Sequence, residues 1–232
     1  MIELRKSADR GHLNFGWLDT FHTFSFGEYH DPRFMGFRDL RVINEDRVAQ
    51  GRGFGTHSHQ NMEIITYMVG GELTHKDSMG NGASILPGEI QYMSAGSGVT
   101  HSEFNNSKEV PAHLLQIWIL PNQKDGEPRY NQKTIALANR KNRLYRMVGN
   151  DGSGAPIEIH QDVSLYGCTL DPQIPLKHEL ADDRHAWIQV VDGHLEVNGY
   201  MLTKGDGAAV SEEKVLTLKA HKTTEFLLFD LS

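Results

Sequence analysis

Two histidines one residue apart, His57 and His59, stand just ahead of the apolar run EIITYMVGG at 63–71. Alternate residues of a strand point the same way, so both imidazoles can be offered to one ion. A second alternating pair, His101 and Glu103 in VTHSEF (99–104), follows Gly96-Ser97-Gly98, a ready turn. Two such strands together would close a four-ligand metal site. Composition alone supplies about 0.7 H-x-H pairs in a chain with 13 histidines, so the first pair carries no weight by itself. Its surroundings do. Gly51, five residues, His57, one residue, His59, three residues, Glu63, six residues and Gly70 form a pattern that chance yields on the order of once in a thousand such chains. Taken alone, His101 and Glu103 read more readily as the polar face of a surface strand. The same H-x-E spacing recurs at His194 and Glu196, with no H-x-H partner.

Something must position these pairs. The chain has 232 residues, enough for one large all-β domain or two small ones. Short β-rich runs repeatedly end in glycine, as in ITYMVGG (65–71), ILPGE (85–89) and IQVVDG (188–193), the rhythm of antiparallel strands joined by turns. Helical periodicity is weak, and the one helix-like stretch, 133–144, is not convincingly amphipathic. A faint internal repeat lays ITYMVGGEL on IQVVDGHLEV and LPGEIQYMSAG on TKGDGAAVSEE. We therefore expect two β-barrels in tandem: residues 1–130 with the metal site, and 131–232 as a degenerate copy. The repeat places Leu180 and Asp182 where His57 and His59 stand, and Leu218 and Ala220 where His101 and Glu103 stand. The second barrel is accordingly expected to hold no metal and to contribute packing, a pocket wall or a partner surface.

Composition narrows the partners. A formal charge of -7 with scattered Lys and Arg argues against a nucleic-acid groove. No apolar run approaches the roughly 20 residues of a membrane span. The opening MIELRKSADRG lacks the apolar stretch of a secretory signal, which predicts a cytoplasmic protein. The single cysteine, Cys168, excludes a disulfide framework and reads as a small buried residue.

The pattern from Gly51 to Gly70 resembles the first motif of the cupin superfamily of small β-barrels. The second motif is matched in part, by Gly96-x-Gly98-x2-His101-x3-Asn105, with glycine where proline is usual. RGHLNFGWLDTFHTFSFGEYHDP (10–32), LRVINED (40–46) and THSHQNMEIITY (56–67) look like the pirin family of two-barrel cupins, and are closest to bacterial pirin-like quercetin 2,3-dioxygenases. The resemblance implies an all-β fold of two tandem cupin barrels, the double-stranded β-helix or jelly-roll-like form. It also implies His57, His59, His101 and Glu103 as metal ligands. Most other cupins use the glutamate of the first motif, here Glu63. A regular strand would set Glu63 on the face of the two histidines, but Gln60-Asn61 can break that alternation. Glu103 is the favoured ligand, with Glu63 as the alternative or as the group that orients a ligand histidine.

Three neutral imidazoles and one carboxylate around a divalent ion leave a charge of about +1 and, in octahedral geometry, two open positions. Such donors suit Fe(II) best, with Mn, Co, Ni, Cu or Zn able to occupy the same cage. The resemblance implies that a flavonol such as quercetin binds through its 3-hydroxyl oxygen and reacts with O2, so that the heterocyclic ring opens and CO leaves. Glu103 is the candidate base for that hydroxyl. Phe24 and Phe26, on one face of HTFSFGEY, are candidate walls for the aromatic substrate, against the alternative of plain core packing. A different class of function is a non-catalytic metal-binding regulator acting through a protein partner, as some pirins do. A cupin-type sugar-phosphate isomerase ranks last, because only Arg52 and Lys76 lie near the motifs to hold phosphate.

Overall fold

The computed structural model describes all of residues 1–232. Its strands are β1 (Ile2–Arg5), β2 (Gly11–Asn14), β3 (Leu18–His22), β4 (Leu40–Val48), β5 (Gly53–His59), β6 (Glu63–Gly70), β7 (Leu73–Asp77), β8 (Gly82–Ile85), β9 (Glu89–Ser94), β10 (Val99–Phe104), β11 (Ala112–Ile119) and β12 (Arg129–Thr134). One helical turn, α1 (Leu137–Arg140), is all that the helix-like stretch yields. Then come β13 (Tyr145–Asn150), β14 (Ile157–Ile159), β15 (Val163–Leu170), β16 (Leu176–Glu179), β17 (His185–Asp192), β18 (His194–Val197), β19 (Tyr200–Thr203), β20 (Gly207–Val210), β21 (Val215–Ala220) and β22 (Thr224–Leu231). The fold is all-β, as expected. No helix is long and apolar enough to cross a membrane.

The chain divides into two compact units, each with a seven-stranded and a four-stranded sheet. In the first unit the sheets run β12-β9-β6-β11-β4-β3-β2 and β5-β10-β7-β8. In the second they run β1-β20-β17-β22-β15-β13-β14 and β16-β21-β18-β19, the same plan with the strand numbers advanced. The repeat is thus a repeat of topology. Its glycine turns are sterically required in places. Gly71 sits at φ 71°, and a Cβ there would lie 2.4 Å from the Pro111 carbonyl oxygen.

The unit boundaries differ from the expected 1–130 and 131–232. The first unit is Gly11–Thr134 with Ile159–Gln161, and the second is Met1–Arg10, Ile135–Glu158 and Asp162–Ser232. The chain stays in the first unit to Thr134 because β12 pairs along β9, from Arg129 opposite Ser94 to Thr134 opposite Glu89. Residues 1–10 leave it because β1 pairs with β20, Ile2 opposite Val210 through Arg5 opposite Gly207. Each barrel therefore pairs the outer edge of one strand, β9 or β20, with a segment from beyond the repeat, which becomes the end strand of the sheet. The buried Asp206 carboxylate fastens the N-terminal segment. It accepts from the Ser7 amide at 2.7 Å, the Thr203 amide at 2.9 Å and Lys6 Nζ at 3.1 Å.

Register also corrects the internal comparison. In β10, Val99, His101 and Glu103 are buried; in β21 the buried residues are Leu216, Leu218 and Ala220, so Leu218 and Ala220 do stand for His101 and Glu103. His101 lies opposite His57, and Leu218 opposite Leu176; Val99 lies opposite His59, and Leu216 opposite His178. The counterparts of His57 and His59 are therefore Leu176 and His178, not Leu180 and Asp182. The connection from β16 to β17 is longer than an ungapped repeat allows, and Leu180 falls past the end of β16 into the core. Cys168 is fully buried, and burial pushes its thiol up to about 12.

Inside the first unit, most of the interior is apolar, with one cluster around Val48, Met68, Leu73 and Leu114 and another around Ile64, Met93 and Val99. Between them the register sets Asn44 opposite Gln116, Gln116 opposite Thr66, and Thr66 opposite Gln91. A polar row thus crosses four strands of the larger sheet. Buried polar side chains are retained only where partners satisfy them or a ligand needs them.

The Asp206 clasp generates a stability prediction. Burial pushes its carboxyl up, but hydrogen bonds from the Thr203 and Ser7 amides and from Lys6 outweigh that and hold it below the usual carboxylate range. Asp206→Asn should cost about 2 kcal/mol at neutral pH, read from urea unfolding. A lowered folded-state pKa stabilises above the unfolded value and loses that contribution as pH falls through the folded one. The gap between wild type and variant should accordingly close on acidification below about pH 4.

Candidate metal centre

β5 and β10 bring the histidines together. His57 lies opposite His101 and Val99 opposite His59, and the ladder then shifts by one residue, so that Glu103 faces Phe54 rather than Gly55. This bulge lets two residues of β5 span one step of β10, while β10 itself alternates regularly and turns Val99, His101 and Glu103 alike into the barrel. Gly53 makes the close approach feasible, since a Cβ there would lie 2.1 Å from the Glu103 carbonyl oxygen. The ring centroids of His57, His59 and His101 stand 4.4–4.9 Å apart, and their ligand nitrogens all lie within 4.8 Å of one another.

Hydrogen bonds settle which nitrogens carry protons. His57 Nδ1 is 2.8 Å from the Gly55 carbonyl oxygen, which can only accept, so the proton is on Nδ1 and the lone pair on Nε2. On the other side, His75 Nε2 is 3.0 Å from Asp77 Oδ2, and both side chains are fully buried. Asp77 is held as a carboxylate: burial raises its pKa, but bonds from His75 and Asn81 bring it below the usual range. His75 therefore donates from Nε2 and accepts at Nδ1, where His101 Nδ1 sits at 3.4 Å. That leaves the lone pair of His101 on Nε2, 3.0 Å from His57 Nε2. Two lone pairs facing at this distance repel unless a cation lies between them. Burial, followed by the neighbouring histidines, lowers His101 to about 3 and His59 to about 4, so near neutral pH these two rings are neutral and keep lone pairs for an ion. Bonds of about 2.1 Å at right angles set adjacent nitrogens about 3.0 Å apart, the spacing seen here. The donor set fits a divalent ion.

Glu103 completes the picture. It is 2% exposed and accepts from Gln116 Nε2 at 3.1 Å, while Thr66 Oγ1 donates to Gln116 Oε1 at 3.1 Å and so orients the amide. Its other oxygen, Oε1, is buried with no protein partner, as a ligand oxygen would be. Burial pushes the carboxyl up to about 7, against the Gln116 bond and with the charge of nearby Asp46. Glu103 gathers with His101 and His75 and shares a cavity with His57 and His59.

Two sequence expectations fail on geometry. Glu63 is buried, but its carboxylate accepts from Tyr92 Oη at 2.5 Å, Ser94 Oγ at 2.6 Å and the His160 amide at 3.2 Å, so it neither joins the histidines nor orients one. Asn61, in the left-handed region at φ 51°, turns the chain from the small sheet into the large one and breaks the alternation. Phe24, 2% exposed, packs in the core, whereas Phe26 lines the cavity. The cavity, about 400 Å³, suits a small molecule. Its apolar wall comprises Trp17, Phe26, Phe54 and Trp118, the last edge-on to both Phe26 and His59. Asn44, Asp46 and Gln116 line it as well. Burial pushes Asp46 up to about 6, against the Thr20 hydroxyl on the neighbouring strand and with the Glu45 charge. Sequence reasoning missed His75 and Asp77, although LTHKD (73–77) carries the alternating H-x-D signal.

With the geometry in place, comparison with known proteins adds a lineage. The family model described as Pirin matches residues 3–119, and one described as a quercetinase C-terminal cupin domain matches residues 147–231. A quercetin 2,3-dioxygenase of Escherichia coli (strain K12) is 46% identical over 231 residues, covering 100% of this chain and 99% of that protein. A pirin-like protein of Caulobacter vibrioides is 36% identical over 231 residues, 99% of each. The crystal structure of a bacterial pirin from Escherichia coli in complex with nickel(II) matches with a TM-score of 0.95 at 45% identity, covering 100% of this chain and 99% of that one.

The hydrogen-bond chain from Asp77 through His75 gives a test. His101→Ala should bring bound metal, measured by elemental analysis, to background. His75→Phe should keep the fold yet weaken metal affinity about 10–100-fold in competition with a chelator, because the tautomer of His101 is no longer imposed.

Proposed function

The chain belongs to the pirin family, and from that premise we propose that it is a quercetin 2,3-dioxygenase-like enzyme, opening the heterocyclic ring of flavonols with O2 and releasing CO. The observation that carries this reading is the pair of Nε2 lone pairs, His57 and His101, set 3.0 Å apart next to an aromatic-walled cavity. His57, His59, His101 and Glu103 would hold one divalent transition-metal ion, Fe(II) first among Mn, Co, Ni, Cu and Zn. When bound, that ion supplies positive charge to acidify a coordinated hydroxyl and a redox centre for O2.

The protein's own groups do the rest. Trp17, Phe26, Phe54 and Trp118 stack around the flat ring system and exclude water. Gln116 fixes one Glu103 oxygen, leaving Oε1 as the oxygen that would bind the ion and, as a labile ligand, leave it to take the proton of the flavonol 3-hydroxyl. The second barrel, in this reading, is metal-free and serves packing. Leu176, Leu218 and Ala220 stand at three of the four ligand positions, and His178, at the fourth, is engaged with Asp230 at 3.0 Å.

The test is oxygen uptake with quercetin on protein loaded in turn with Fe(II), Mn, Co, Ni, Cu and Zn. At least one redox-active ion should support turnover with CO in the headspace. Glu103→Gln is expected to lower kcat at least about 100-fold, more than any loss of bound metal accounts for. Absence of uptake with every ion would leave the non-catalytic regulator, acting through a protein partner, as the better reading.

A further inference from the structure

β4 presents two acceptors to the cavity that nothing in the protein satisfies. Asn44 and Asp46 are alternate residues of one strand, both 4% exposed and both on the cavity wall. Asn44 Oδ1 and Asp46 Oδ1 have no hydrogen-bond partner in the protein. Gln116, directly opposite Asn44 on β11, already receives from Thr66 at its oxygen and gives to Glu103 from its nitrogen, so the metal-side chain of hydrogen bonds does not serve them. Two buried acceptors on one strand face are costly to leave unmade, and each calls for an N–H or O–H donor from a bound molecule.

The opposing surface decides which donors. Trp17 and Phe54 meet edge to face at 5.2 Å, and Phe26 and Trp118 at 5.1 Å, forming a slot for a flat ring. A ring in that slot with hydroxyls on its rim satisfies the wall and the acceptors together. The phenolic O–H is the donor that such a ring carries without adding charge.

We propose that Asn44 and Asp46 form a specificity subsite that accepts hydrogen bonds from two ring hydroxyls of a polyhydroxylated aromatic substrate, distinct from the hydroxyl directed at the metal. This rests on the flavonol reading and deepens it: the subsite selects flavonols with hydroxylated outer rings over the bare flavonol skeleton. The preference comes from the protein's side as much as the ligand's, because a ligand lacking those hydroxyls leaves both acceptors dry and unpaired.

The experiment is anaerobic equilibrium binding to the metal-loaded protein, so the subsite is tested whether or not oxygen is consumed. The probes are quercetin and 3-hydroxyflavone, which keeps the 3-hydroxyl and lacks the others. Wild type should bind quercetin about 100-fold more tightly. Asn44→Leu and Asp46→Leu, which keep volume and remove the acceptor, should each reduce that ratio to 10-fold or less, about 1.4 kcal/mol or more, through weaker binding of quercetin. Galangin, hydroxylated on the fused ring alone, and 3,3′,4′-trihydroxyflavone, hydroxylated on the pendant ring alone, identify the ring seated on the subsite: one of them should bind like quercetin. Equal wild-type affinities for quercetin and 3-hydroxyflavone, or a ratio unchanged in the variants, would overturn the proposal. Should Asp46→Leu not fold, Asn44→Leu decides by the same ratio. Selective binding without oxygen uptake would uphold the subsite and sink the dioxygenase reading alone.

Discussion

The Nε2 atoms of His57 and His101 face each other 3.0 Å apart, each left with its lone pair when its ring is neutral. The Gly55 carbonyl takes the proton of one ring onto Nδ1; Asp77, acting through His75, does the same for the other. The arrangement has little latitude, because each partner can only accept or has only one nitrogen left to use. What it creates is a concentrated negative potential with no protein group to meet it, and a cation is the simplest relief. The strands exist to hold this opposition: β5 and β10 supply the two rings, Gly55 of β5 sets His57, and β7, on the far side of β10, supplies His75 and Asp77, which set His101.

The polar row across the larger sheet extends the same logic. Thr66 orients Gln116, Gln116 holds one oxygen of Glu103, and the other oxygen stays available. In an apolar barrel such a row is expensive unless each member has a task. Two of its four residues, Asn44 and Gln116, line the cavity, Thr66 orients Gln116, and Asp46 continues the wall along the strand of Asn44. Chemistry at one end and recognition at the other are thus carried by neighbouring positions of one sheet.

Much of this was legible in the sequence, and the failures have physical causes. His57, His59, His101 and Glu103 stand out because alternation on a strand and glycine spacing are local signals. The bulge of β5 opposite Glu103 is not local, since it depends on how β5 and β10 are paired. Glu63 satisfies the same one-dimensional spacing, but the left-handed Asn61 moves it to another sheet, where Tyr92 and Ser94 occupy its carboxylate. His75 and Asp77 were overlooked because a short H-x-D on an otherwise ordinary strand acquires meaning only when β10 lies beside it. Phe24 and Phe26 share a strand-like parity in sequence, yet the chain there is not a regular strand, and only Phe26 reaches the cavity. The two-barrel plan was visible as a faint repeat; the placement of residues 1–10 was not, since no pattern within ten residues says which of two similar barrels they will join.

That placement has a consequence for how the molecule is made. Of these strands β1 leaves the ribosome first, and its partner β20 begins at Gly207. For nearly the whole of translation the opening segment has nothing to pair with, while the first barrel, complete by Thr134 but for three residues, can already form behind it. The second barrel closes only when β1 meets β20, so its final assembly is a late event, and β1 must stay extended and unclaimed until then.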